Sequence, residues 1–119
     1  MSTLRTINIA NQGGTKSAPA ADIIDGYSKA WVNFNGTGTV AIRKAFNVSS
    51  ITDNGTGDYT VNFTNPFPDA NYTMSLSADG PCSNSFTTAA PTTTQARLGT
   101  FTTGFANADR AYVQAAFFD

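Results

Sequence analysis

Tyr59, Val61 and Phe63 alternate with Asp58, Thr60, Asn62 and Thr64. That period of two predicts a half-buried β-strand over 58–64. The same rhythm recurs where Tyr72, Met74, Leu76 and Ala78 alternate with Thr73, Ser75 and Ser77, predicting a strand over 72–78. Further strands are expected over 30–35, 39–49, 96–103 and 111–118. In the segment 39–49, Val40, Ile42, Phe46 and Val48 fall on one face and Lys44 interrupts them. An interrupted stripe predicts a bulge, or a strand that leaves the core at one end. In 111–118, Val113, Ala115 and Phe117 share one face, while Tyr112, Ala116 and Phe118 share the other. Apolar character on both faces predicts burial on both sides. The end of that strand, Phe117-Phe118-Asp119, is an expected subunit contact.

Turn chemistry separates these runs. Asp53-Asn54-Gly55-Thr56-Gly57 has residues that tolerate positive φ and predicts a tight hairpin before Asp58. Residues 79–85 and 90–94 read as loops, with Phe86 between them in a short edge strand, and 104–109 reads as another reversal. Ahead of the strands the pattern changes. Ile7 and Ile9 suggest a short strand broken by Gly13-Gly14. Pro19 would open a helical piece that Gly26 closes, too short to persist alone. Its Ile23-Ile24 pair needs a surface, and a second subunit would supply one. Two parts are therefore expected: an N-terminal arm over 1–28 that anchors or wraps an oligomer, and a β-sandwich over 29–119.

Composition strengthens the β reading. The 119-residue chain is 13% charged, against the ~25% usual in globular proteins. All eight acids are Asp, and Leu occurs only at positions 4, 76 and 98. Strong helix formers other than Ala are thus scarce, and Thr, Ser, Asn, Gly, Phe and Tyr stand in their place. A net charge of −1 with dispersed basic residues argues against nucleic acid as a partner. No apolar run of about 18 residues is present, so membrane insertion is not expected, and no N-terminal apolar signal region is seen. Synthesis and folding in a cytoplasm are expected. Cys82 is the sole cysteine, so an intrachain disulfide is ruled out; pairing between copies would need specific geometry.

The chemistry that remains is thin. Without histidine, the commonest general base and the Ser-His and Cys-His nucleophile pairs are missing. The acidic residues mostly sit beside Gly, Asn or Pro, where Asp forms turns. Residues 53–58 lack the alternating ligands and the closing Glu of a calcium loop. No catalytic residue, cofactor site or metal site is expected. Exposed aromatics are the one binding feature: Trp31, Tyr27, Phe67, Phe105 and Tyr112 would each offer a flat apolar ring to a sugar if they are not spent in a core.

Three strings carry a likeness to known proteins: KAWVNFNGTGTVAIR, NVSSITDNGTGDYTVNFT and PFPDANYTMS. They resemble a short module of tailed-bacteriophage structural proteins, of the kind found at tail-fibre tips or as small virion proteins. The likeness covers roughly residues 15 to 78 well and the C-terminal third loosely. It implies a homotrimer with the segment near Gly14–Gly26 joining the copies, other virion proteins as partners, and a host-surface saccharide as a ligand. It implies a place in the virion, on the tail or the capsid surface. In fibres the module usually ends a much longer chain, whereas this one begins with its own Met, so a free-standing protein plugged onto a particle is also expected.

The expected fold class is all-β: a small antiparallel β-sandwich of about six to seven strands with an extended N-terminal arm, forming a trimer. The expected function is non-enzymatic, a virion structural protein of a tail fibre or related appendage. Capsid decoration and a monomeric carbohydrate-binding module are the alternatives. The subunit interface is expected at Ile7, Ile9, Ile23, Ile24, Tyr112, Phe117 and Phe118. Loops presenting Asp53, Asn54, Phe67, Asp69, Asn84 and Thr93 are expected to face outside partners.

Overall fold

Strands that are apolar at every second residue need cover on one side only, and here two sheets supply it to each other. The computed structural model describes residues 7–119; the part of the expected arm before Ile7 lies outside them. The elements in chain order are β1 (Asn8–Ala10), β2 (Ser17–Pro19), α1 (Ala20–Gly26), β3 (Ala30–Asn35), β4 (Ala41–Phe46) and β5 (Val48–Gly55). They continue with β6 (Asp58–Phe63), β7 (Thr73–Ala78), β8 (Cys82–Asn84), β9 (Gln95–Thr100) and β10 (Val113–Phe118). One four-stranded antiparallel sheet has the order β4-β3-β10-β7 and the other β5-β6-β9-β8. The all-β expectation holds, with eight strands rather than six or seven in the sandwich-like body.

The inner faces meet in one core. Val32 and Phe34 of β3, Val113, Ala115 and Phe117 of β10, Tyr59, Val61 and Phe63 of β6, and Leu98 of β9 are all buried there. At one end Phe117 packs edge-on against Phe63, with centroids 4.9 Å apart, and against Tyr72 at 5.9 Å. Phe67 lies 4.7 Å from Phe63 in the same cluster. At the other end the Tyr59 hydroxyl sits 2.8 Å from both the Gly36 carbonyl oxygen and Asp109 Oδ1. Asp109 Oδ1 also accepts the Gly57 N–H at 2.8 Å. One carboxylate thus ties the β5–β6 hairpin to the loop before β10.

The structure corrects the long strand 39–49. The chain turns a corner at Asn47, whose φ is +56°, so Val48 opens a strand of the opposite sheet. The Asn47 side chain holds the corner: its amide donates to the Lys29 carbonyl at 3.1 Å, and its Oδ1 accepts the Asn65 N–H at 2.8 Å. Asn also tolerates the left-handed region better than other non-glycine residues. The expected bulge is present as well. Asn33 pairs with Lys44 and Phe34 with Ile42, leaving Arg43 as the extra residue. After it Ala45 and not Phe46 turns toward the core, and Phe46 remains 50% exposed.

Other expectations also change. Phe117 is 0% exposed and Phe67 is buried beside it; both belong to the core of this chain, not to a surface. Strand β10 is buried on one face only, since Gln114 is exposed and Ala116 and Phe118 are half-buried. The short strand before the 90–94 loop is Cys82–Asn84, and Phe86 follows it in a turn while packing against the core.

The arm stands apart from this packing. Strands β1 and β2 form a hairpin with Ile9 opposite Ala18, closed by Asn11, whose Oδ1 accepts the Lys16 N–H at 2.8 Å. Helix α1 follows at once and has no buried residue. The radius of gyration is 17.1 Å, against about 13 Å for a compact domain of this length. The extents of 51 × 27 × 25 Å show the elongation directly.

Candidate functional site

Two surfaces of this molecule have the makings of a site: the arm and the outer face of the β4-β3-β10-β7 sheet. In the arm, Ile7 is 86% exposed and Ile24 is 56% exposed, and Ile9, Ile23 and Tyr27 are exposed with them. The helix begins at Pro19 without a side-chain cap. Its C-terminal end is held by Lys29, whose ammonium donates to the carbonyl oxygens of Ile24 and Tyr27 and lies 3.9 Å from the centre of the Tyr27 ring. A cation on the last carbonyls of a helix is favourable. Lys29 is also where the sandwich begins, since its N–H donates to the Phe117 carbonyl at 2.8 Å. A seven-residue helix and a hairpin of two three-residue strands are each marginal in water without an apolar surface to cover them.

The outer sheet face is built by register. Trp31 of β3 pairs with Phe46 on one side and Ala116 on the other, and Ala116 pairs with Ser75. One row along, Asn33 pairs with Lys44 and Gln114, and Gln114 with Ser77. Alternation sends all of these side chains outward. Because Ala116, Ser75 and Ser77 are small, the surface dips beside the indole into an open groove of about 390 Å³ lined by both rows. Trp31 is half-buried in the sheet surface, not in the core.

The remaining expected residues do not converge. Tyr112 is exposed, with the Arg43 guanidinium 4.2 Å from its ring centre, and Phe118 is half-buried beyond Ala116 on the outer face. Asp53 and Asn54 are exposed at the β5–β6 hairpin, where Asp53 Oδ1 accepts the Gly55 N–H at 3.0 Å and the Asn54 amide donates to Thr60 Oγ1 at 2.7 Å. Asp69 and Thr93 lie toward the other end of β6. Asp69 Oδ1 accepts the Asn71 N–H at 2.8 Å, and the Thr93 carbonyl takes the Phe67 N–H at 2.8 Å. Asn84 is exposed on β8. These polar groups shape their own turns, and Phe67 serves the core. Sequence reasoning missed Asn33, Ser75, Ser77 and Gln114 as neighbours of Trp31. Their phase was readable, but the pairing of β3 with β10 and of β10 with β7 was not.

The perturbed titrating groups are structural. Asp58 is held below the usual carboxylate range by hydrogen bonds from Arg97, whose Nε lies 2.8 Å and Nη2 2.5 Å from its oxygens. Burial pushes the Tyr72 hydroxyl up to about 12 and the Tyr59 hydroxyl higher still. Burial also pushes the Cys82 thiol up, away from the reactive thiolate. Among the described residues no group of three His, Cys, Asp or Glu side chains is placed to hold a metal ion, and no helix is long and apolar enough to cross a membrane. No protein-family model, curated protein or solved structure matches this chain.

Proposed function

We propose that this chain is a non-enzymatic structural protein of a tailed-bacteriophage particle, part of a tail fibre or related appendage, and that it works by self-association into a trimer. The likeness of its motifs to fibre-tip modules suggests the setting. The observation that carries the reading is the uncovered arm: Ile7, Ile9, Ile23, Ile24 and Tyr27 are all exposed on one hairpin-and-helix unit that buries none of its own residues. An apolar unit of that kind is stable when sister copies cover it, and its exposure otherwise invites aggregation. The sandwich is then a rigid carrier for that joint.

The test is Ile24→Asp. Chemical cross-linking should trap trimers of the natural chain and only monomers of the variant, while circular dichroism shows the same β-rich body in both. Trimers that persist in Ile24→Asp at equal yield would contradict the arm as the joint. Counting the protein in purified particles then places it: a few copies fit an appendage, and copies in the hundreds would move it to the capsid surface.

A further inference from the structure

We propose that the groove on the outer face of the β4-β3-β10-β7 sheet binds a neutral saccharide, with Trp31 stacking on a sugar ring. Asn33, Gln114, Ser75 and Ser77 hydrogen-bond the ring hydroxyls. The inference goes beyond the proposed self-association, and it depends on the sheet alone, not on the arm.

Four features point to this ligand class. The groove is about 390 Å³ in volume, inside the range of ~300–1,000 Å³ typical of small-molecule sites. Its wall is an indole whose neighbours across β10 and β7, Ala116 and Ser75, are too small to cover it. A flat ring with polar groups around it suits the apolar face and hydroxyl edge of a pyranose. The lining itself carries no charged side chain, so a ligand seated against it meets neutral polar groups. Lys44 stands beyond Asn33 at the border of the groove, and Arg43 is engaged with the Tyr112 ring and with Asn33 Oδ1.

The fourth feature is unused hydrogen-bonding capacity. The side chains of Ser75, Ser77 and Gln114 make no hydrogen bond to the protein, and Asn33 uses only its Oδ1, in a long 3.4 Å contact with Arg43. Two amide groups and two hydroxyls offer both donors and acceptors, which is what sugar hydroxyls require. The polar groups span three adjacent strands, a width of about 10 Å at the usual strand spacing, enough for a sugar ring seated between Trp31 and Gln114. The sheet fixes these backbones before any ligand arrives, which lowers the cost of ordering them.

The experiment is an amide NMR titration of the full chain with four neutral tetrasaccharides: maltotetraose, cellotetraose, mannotetraose and tetra-N-acetylchitotetraose. Trigalacturonate serves as the charged comparison. At least one neutral glycan should give saturable shifts of the Trp31 indole N–H and the Gln114 side-chain amide, at concentrations up to about 10 mM, as befits an open groove. Trp31→Ala should weaken that binding about tenfold, and Gln114→Ala, at an exposed position, several-fold. Ile24→Asp should bind as the natural chain does, so loss of trimers and loss of sugar binding are read separately. The proposal is overturned by silence of all four neutral glycans, by shifts confined to other surfaces, by stronger binding of trigalacturonate, or by unchanged affinity in Gln114→Ala.

Discussion

Phe117 and Phe118 are neighbours in sequence, and the sandwich gives them opposite fates. Phe117 is 0% exposed and touches three other rings, with centroids 4.9 Å from Phe63, 5.9 Å from Tyr72 and 6.5 Å from Phe67. Burying a phenylalanine side chain is worth up to about 3 kcal/mol, and edge-to-face partners add about 0.5–1.5 kcal/mol each. Truncation also leaves a cavity, and the usual total for Phe→Ala in a core is about 3–5 kcal/mol. Domains of this size have about 5–15 kcal/mol to lose. Phe117→Ala should therefore still fold, with its urea midpoint lower by roughly 2 M at a slope near 2 kcal/mol/M. Phe117→Asp should not fold at all. Phe118→Ala, on the half-covered outer face, should cost less than about 1.5 kcal/mol. The assay is urea unfolding at neutral pH followed by circular dichroism. If Phe117→Ala loses less than 1 kcal/mol, or if Phe118→Ala loses as much as Phe117→Ala, the packing described for β10 is wrong.

The β5–β6 hairpin and the buried tyrosines give two more predictions. Gly57 has φ +64°, and a Cβ there would overlap the Thr100 carbonyl oxygen and crowd Ala108, whereas Gly55 at φ +141° faces open space; thermal melting should show Gly57→Ala costing more than about 3 kcal/mol and Gly55→Ala about 1–2 kcal/mol, and equal costs would refute the close approach. In alkali, Tyr72 and Tyr59 ionise near 10 when unfolded but are held up by burial when folded, Tyr72 to about 12. The unfolded chain therefore releases protons first, so stability is intact below pH 10 and falls as pH rises from 10 toward 12, by about 1.4 kcal/mol per pH unit for each tyrosine. Urea midpoints taken across that window should drop steeply, and Tyr72→Phe should flatten the slope; a flat profile in the natural chain would count against the buried hydroxyls.

Much of the body was legible because alternation is local. Strand β3 lies at Ala30–Asn35 as expected, and β6, β7, β9 and β10 lie within a few residues of their predicted bounds. What periodicity cannot carry is a change of sheet. The stripe from Val40 to Val48 reads as one strand interrupted only at Lys44, yet Asn47 adopts positive φ and hands the chain from one sheet to the other. Asn47 itself, a residue type that tolerates the left-handed region, was the available signal. The same limit hid β2 at Ser17–Pro19, whose residues have no apolar rhythm and which exists because it pairs with β1. Phe117 was misjudged because the terminal Phe-Phe pair says nothing about which ring the neighbouring strands will cover. The groove shows the limit at its strongest. Trp31 was singled out, but its companions come from β10 and β7, 83 and 44 residues away at Gln114 and Ser75, and only register brings them together.

Sedimentation equilibrium of the natural chain at micromolar concentration addresses the central idea, that sister copies cover the arm. The account predicts a single species of three times 12.5 kDa, which falls to one chain mass when Ile24 is replaced by Asp. A stable species of 12.5 kDa, soluble without its partners across the whole concentration range, would contradict it.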